Sequence, residues 1–156
     1  MRRSVRRGVV WSQELPITIS TKCVRRCIHT LKSAWEGLHG YEPSDVLNEI
    51  FQAACVKEFE LVLDQSGRLL QRRLRPYFAS NRQADQLSFN DIFRYAARHC
   101  LISEDACERW LEYRANRNET AHEYGEHFAE KTLELLPQFI ADADALVAMI
   151  EEVQDD

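Results

Sequence analysis

The longest regular pattern in this chain is an apolar seam near its end. Phe128, Thr132, Leu135, Phe139, Ala143, Leu146, Val147 and Ile150 recur at steps of three and four residues. That spacing gathers side chains on one side of an α-helix and scatters them over both faces of a strand. The segment from about Glu126 to Val153 is therefore expected to be a helix whose stripe must be covered by other elements. Pro137 lies inside it and predicts a kink, because its ring removes a backbone donor and crowds the preceding turn.

The same period runs through the rest of the chain. Val24, Cys27, Ile28, Leu31, Trp35 and Leu38 form a stripe that starts near Lys22 and ends at Gly40 and Pro43. Phe51, Cys55, Phe59, Val62, Leu69 and Leu70 form a second, after Ser44 as N-cap and up to about Arg75. Gly67 sits inside this helix at a cost in propensity, and Pro76 helps to close it. The polar run Ser80–Gln86 is expected to be a loop. Ser88 with Asp91 is a capping pattern for a third helix reaching about Cys100. Ser103, with Glu104 and Asp105 in the first turn, opens a fourth that turns Cys107, Trp110 and Leu111 inward. These elements predict an all-α, up-and-down bundle of about five helices over residues 21–153. Residues 1–20 stand apart as an arm, extended or disordered, containing Pro16 and the alternating Ile17-Thr18-Ile19-Ser20.

At 156 residues there is room for one domain with its own core. No apolar run approaches membrane-spanning length, and the N-terminal arginines lack the apolar stretch of a signal peptide. Five cysteines without framework spacing fit a reducing compartment, so a cytoplasmic location is expected. The net charge of −5 excludes a surface that is basic throughout, but the charge is uneven. Arg2, Arg3, Arg6 and Arg7 crowd the start, Arg68, Arg72, Arg73 and Arg75 form a second cluster, and the tail is acidic. Phosphate contacts are local, so such a chain can still bind RNA. The cluster at Arg68 reads first as a solvated helix face, and gains meaning only if it borders a site.

The chemistry-bearing stretch is Arg117-Asn118-Glu119-Thr120-Ala121-His122-Glu123-Tyr124. On a continuous helix Asn118 and His122 share a face, with Arg114 one turn earlier. Arg117 lies roughly 140° from His122 on that helix, so the two converge only across a helix break or between two chains. A two-fold dimer supplies the second route. These residue types suit metal-independent RNA cleavage. His122 exchanges protons, Arg117 holds the scissile phosphate, Asn118 fixes a tautomer or a phosphate oxygen, and Arg114 is a further candidate for phosphate or RNA. The competing reading is structural: an Arg and a His at a helix end also cap carbonyls or bind carboxylates.

Other candidates carry less. Cys23, Cys27 and His29 lack a second ligand pair for zinc, and Cys27, Cys100 and Cys107 read as core thiols. His99 and His127 read as surface or cap residues, and Glu60 as a partner for a motif arginine or for a surface cation. With no Gly-rich phosphate loop and no paired-carboxylate motif, the chain is not itself a nucleotidyltransferase. No metal and no cofactor are expected.

The Arg117–Tyr124 stretch resembles the R-x4-H-x-Y signature of HEPN proteins. Phe59-Glu60 in the second helix, and Trp110-Leu111 leading into the motif, resemble their nucleotidyltransferase substrate-binding branch over roughly Lys22 to Val153. The resemblance implies a helical bundle that forms a homodimer and partners a minimal nucleotidyltransferase. In HEPN/MNT toxin–antitoxin pairs the HEPN subunit is a ribonuclease toxin. By position, Arg117 and His122 would be catalytic, Asn118 supporting, and Tyr124 the tyrosine that the antitoxin adenylylates. Some relatives of this branch are instead non-catalytic substrate-binding partners. Gly67 stands where relatives tend to carry Trp, which predicts looser packing or altered partner contact, and the arginine-rich arm is extra.

Overall fold

A helix with apolar groups on several sides must sit in the middle of a bundle, and the second helix is such a case. The structure, a computed structural model, describes residues 19–120 and 126–152. Among these are six α-helices and no strand: α1 (Lys22–His39), α2 (Val46–Leu74), α3 (Asn81–Asp85), α4 (Phe89–Arg98), α5 (Glu104–Thr120) and α6 (Glu126–Glu152). A 3₁₀ turn, Arg75–Tyr77, follows α2. α2 touches every other helix. The all-α bundle is as the apolar periodicities require.

α1 buries Val24, Ile28, Leu31 and Leu38 of the stripe expected of it, together with Ala34, while Cys27 and Trp35 are half-buried against the core. The α1–α2 turn is closed by buried Asn48, whose Nδ2 donates to the carbonyls of Leu38 and Tyr41 at 3.1 Å each. The core between α2, α4, α5 and α6 is aromatic. Phe59 lies 4.6 Å from Phe139 between ring centroids, Phe93 stacks on Trp110 at 4.9 Å, and Tyr113 meets Phe139 edge-on at 5.0 Å. Ile19, from the arm's last residues, is buried in the same core; residues 1–18 lie outside the described residues.

The structure corrects several local expectations. The run Ser80–Gln86 is not a loop but contains α3, which makes six helices of the expected five. Ser80 caps it, its hydroxyl accepting from Gln83 N at 3.3 Å, and Gln71 Nε2 donates to the Ala84 carbonyl at 3.1 Å. Buried Ala84 is its sole core contact, too little to leave a period. The N-cap of α2 is Asp45 rather than Ser44: its carboxylate accepts from Leu47 N at 2.8 Å, satisfying a donor with no helical partner. Ser88 and Ser103 do cap α4 and α5, each accepting from the amide three residues on.

Cys100 is exposed, not core, and has φ of 57°, a left-handed conformation. It closes α4 as a Schellman turn: Cys100 N donates to the Ala97 carbonyl at 3.0 Å and Leu101 N to the Ala96 carbonyl at 2.9 Å. Cys27 is half-buried, and its sulfur accepts from Gln65 Nε2 at 3.4 Å. The seam of α6 passes through Leu136 rather than Leu135. α6 continues through Pro137, which is on the exposed side, where water can bond the Leu133 carbonyl left without its usual donor.

Candidate functional site

α5 is held in register by three residues one turn or less apart. Trp110 and Tyr113 are each 1% exposed, and Asn116 is buried with its Nδ2 donating to Thr132 Oγ1 of α6 at 2.9 Å. Sequence reasoning missed Tyr113 and Asn116, since a tyrosine and an asparagine give no apolar stripe. They set the rotation of the helix. Arg117, seven residues after Trp110, comes within about 20° of the same direction and is therefore turned toward the bundle.

There it joins a polar cavity of about 360 Å³ between α2, α4 and α5. Arg114 and Arg117 line it from α5, Asp64, Gly67, Arg68 and Gln71 from α2, and Phe89 and Ile92 from α4. Arg114 Nη1 lies 3.4 Å from Asp64 Oδ1, and its guanidinium sits over the Phe89 ring at 5.0 Å from the centroid. Both partners of the ion pair are partly exposed, so the pair orients Arg114 more than it stabilises the fold. Glu60 pairs with Lys57 at 3.9 Å, so Asp64, one turn further on, is the carboxylate that meets a motif-side arginine.

Gly67 explains why the cavity can form. A Cβ built on it would stand 2.9 Å from Phe89 Cε2, inside van der Waals contact. The absent side chain is replaced by the Phe89 ring, so packing here is close where looser packing was expected.

Arg114 and Arg117 line one cavity, whereas Asn118 is exposed and does not line it. Arg68, discounted at first as a solvated helix face, borders the cavity. No local signal in the sequence pairs Arg68 with α5; that meeting comes from the packing of α5 against α2. His122 and Tyr124 lie outside the described residues, as does the side chain of His127. His99 is exposed and stacked on Tyr77 with centroids 4.0 Å apart, as a surface residue.

A second charged cluster is structural. Asp142 of α6 accepts from Arg109 Nε and Nη2 at 2.8 Å each, from the Tyr113 hydroxyl at 2.6 Å and from Gln138 Nε2 at 3.2 Å. Burial alone would raise the Asp142 pKa, but these donors and the Arg109 charge outweigh it and hold the carboxyl below its ordinary value. Burial, followed by the bond to Asp142, pushes the Tyr113 phenol up. The three donors from Arg109 and Tyr113 fix α5 on α6, Gln138 holds the carboxylate from within α6, and nothing in the set is poised for proton transfer. Among the described residues no group of His, Cys, Asp and Glu is placed to hold a metal ion, and no helix is long and apolar enough to cross a membrane.

Comparison with known proteins agrees with this architecture. The family described as nucleotidyltransferase substrate binding protein like matches residues 20–152. A Haemophilus influenzae protein described as "Probable ribonuclease HepT" is 25% identical over 111 residues, covering 71% of this chain and 74% of the relative. A solved Haemophilus influenzae structure, described as the fold of a substrate binding domain of a nucleotidyltransferase, superposes with a TM-score of 0.74. It is 21% identical, and the match covers 85% of this chain and 99% of the other. The helical bundle, the residues matched and the motif at the end of α5 agree: this chain belongs to the nucleotidyltransferase substrate binding protein like family, the branch of HEPN proteins that its motif resembles.

Proposed function

We propose that the chain is the ribonuclease toxin of a HEPN/MNT pair, a metal-independent endoribonuclease silenced by adenylylation of Tyr124. The observation that carries this reading is the convergence of Arg114 and Arg117 on one basic cavity at the end of α5, directly ahead of His122 and Tyr124. The likeness to a ribonuclease HepT supports it.

The chemistry needs a base for the 2′-hydroxyl proton, an acid for the departing 5′-oxygen, and cations on the non-bridging oxygens. The 2′-oxygen bonds to phosphorus as the 5′-oxygen leaves, giving 2′,3′-cyclic phosphate and 5′-hydroxyl ends. Arg117 and Arg114 supply the cations. One His122 cannot be base and acid at once, so two copies in a homodimer supply both. A surface for that dimer is at hand: Val46 and Ile50, 64% and 56% exposed, begin an apolar strip on α2. It continues into a groove with Ala53, Val56 and Ala129 at its floor and Glu49, Gln52, Lys57 and Glu60 around them, and Ala129 lies five residues after Tyr124 in the sequence. A second copy brings a second motif, in which Asn118 would support His122.

Silencing follows from the same charges. Transfer of AMP from ATP to the Tyr124 oxygen, with pyrophosphate leaving, adds a phosphodiester that competes for the arginines. The free thiols of Cys23, Cys27, Cys55, Cys100 and Cys107 suit action in the cytoplasm. The reading is tested by intact mass after co-expression with a minimal nucleotidyltransferase. One adenylyl increment, lost in Tyr124→Phe, is expected; no increment, or one retained in Tyr124→Phe, contradicts it. The descriptions of the family and of the solved relative favour a second reading, a non-catalytic substrate-binding partner of a nucleotidyltransferase. It expects a stable complex with the enzyme and no RNA cleavage.

A further inference from the structure

One stretch of this acidic chain is strongly basic. Residues 65–100 hold seven arginines and two aspartates, with no lysine or glutamate. Both aspartates are engaged, Asp85 with Arg75 at 3.0 Å and Asp91 with Arg94 at 3.5 Å. The other five arginines have no carboxylate of the stretch to balance them. Arg72 and Arg73 lie in the last turn of α2, and Arg98 in the last turn of α4. Arg73 sits over the Tyr77 ring, 5.6 Å from its centroid, and Arg98 over that of Tyr95 at 5.3 Å. Tyr77 is 43% exposed, and His99 stacks on it with centroids 4.0 Å apart and planes 17° apart. His99 is itself exposed, so the stack ends in a ring open to solvent. Arginines in a last turn complement the helix dipole, which accounts for the cations and not for the open rings among them.

α2 and α4 run side by side in one direction. Gly67 packs on Phe89 at the cavity, and ten residues later in each segment Tyr77 packs on His99. At 1.5 Å per residue, the ring pair stands about 15 Å from the cavity.

We propose that Tyr77 and His99, flanked by Arg72, Arg73 and Arg98, form a second binding site for single-stranded RNA, on which a base stacks while neighbouring phosphates meet the arginines. The identity of the polymer rests on the ribonuclease reading. An open ring offers any base a π-face, and guanidinium forks match phosphate oxygens. A duplex keeps its bases inside its own stack, so the rings select single strands. Lying one helix length from the cavity, the site holds the flank of a strand whose scissile phosphate is at Arg117.

The test uses full-length His122→Ala protein, which on that reading cannot cut, with a fluorescein-labelled oligoribonucleotide, single-stranded or as a duplex. Anisotropy is read across salt concentrations at about pH 8, above the ordinary histidine pKa. His99→Ala should weaken single-strand binding about fivefold to tenfold and leave the slope of log affinity against log salt unchanged. His99→Phe keeps a ring and should bind as the parent does. Arg72→Ala combined with Arg98→Ala should lower the slope by about 1.4, two phosphate contacts at about 0.7 each. Unchanged affinity in His99→Ala, an equal loss in His99→Phe, an unchanged slope in the double arginine variant, or no RNA binding overturns the proposal. So does a duplex as sensitive to His99→Ala as the single strand. Cleavage by the unsubstituted protein separates the two claims. Cutting with His99-independent binding rejects the stacking site alone. His99-dependent binding without cutting rejects the ribonuclease reading and leaves the site.

Discussion

Gly67 and Phe89 share one space: the ring of Phe89 lies where a Cβ on residue 67 would be, 2.9 Å from Cε2. Because Arg114 lies over the same ring, 5.0 Å from its centroid, the glycine bears on the shape of the basic cavity as well as on the α2–α4 contact. For Gly67→Ala, a helix-propensity gain of about 1 kcal/mol offsets the crowding, so stability should change little. Gly67→Val adds branching without that gain and should cost about 1–3 kcal/mol in denaturant unfolding. In a Phe89→Ala background the Val substitution should cost markedly less. Equal costs in both backgrounds would mean that the ring does not set the limit.

Asp142→Asn should destabilise the fold by about 2 kcal/mol, the cost of leaving Arg109 and Tyr113 with a weaker partner; Arg109 is partly exposed, so the larger loss of a fully buried pair is not expected. The folded-state pKa of Asp142 is depressed, so its stabilising contribution is present above the unfolded value of about 3.9. That contribution is lost as pH falls through the lower folded value. Unfolding measured from pH 6 downward should show a smaller acid loss in the Asn variant than in the parent protein; parallel profiles would rule out this role.

Cys100→Gly should stabilise the protein by about 0.5–1 kcal/mol. Glycine takes the φ of 57° without crowding its own carbonyl, which outweighs the extra freedom gained by the unfolded chain. A melting temperature that falls on this substitution would contradict the account of the α4 terminus.

Ile50→Glu places a charge on the exposed strip of α2, at a position 56% exposed and free of core contact. The monomer fold should be unaffected, as read by circular dichroism, while light scattering shows a shift from dimer to monomer. A dimer that persists in Ile50→Glu places the homodimer contact elsewhere.

The helices were legible wherever a stripe of apolar residues recorded the burial, as from Val24 to Leu38 and from Phe139 to Ile150. α3 left no such record, because Ala84 alone is buried and Gln71 and Ser80 hold the rest by hydrogen bonds. The cap of α2 was misplaced by one residue because Ser44 and Asp45 are both capping types and the backbone turn decides between them. In the site, Arg114 and Arg117 were visible as residue types, but their common direction depends on Tyr113 and Asn116 being buried. Arg68 is distant in sequence and enters only through the packing of α5 on α2.

The central claim is metal-independent RNA cleavage by His122 and Arg117, and RNA cleavage in excess EDTA measures it most directly. The unsubstituted protein should cut single-stranded RNA to 2′,3′-cyclic phosphate ends, and His122→Ala and Arg117→Ala should each slow this by about 100-fold or more. No cleavage by the unsubstituted protein, or cleavage by either variant as fast as by the unsubstituted protein, would contradict it.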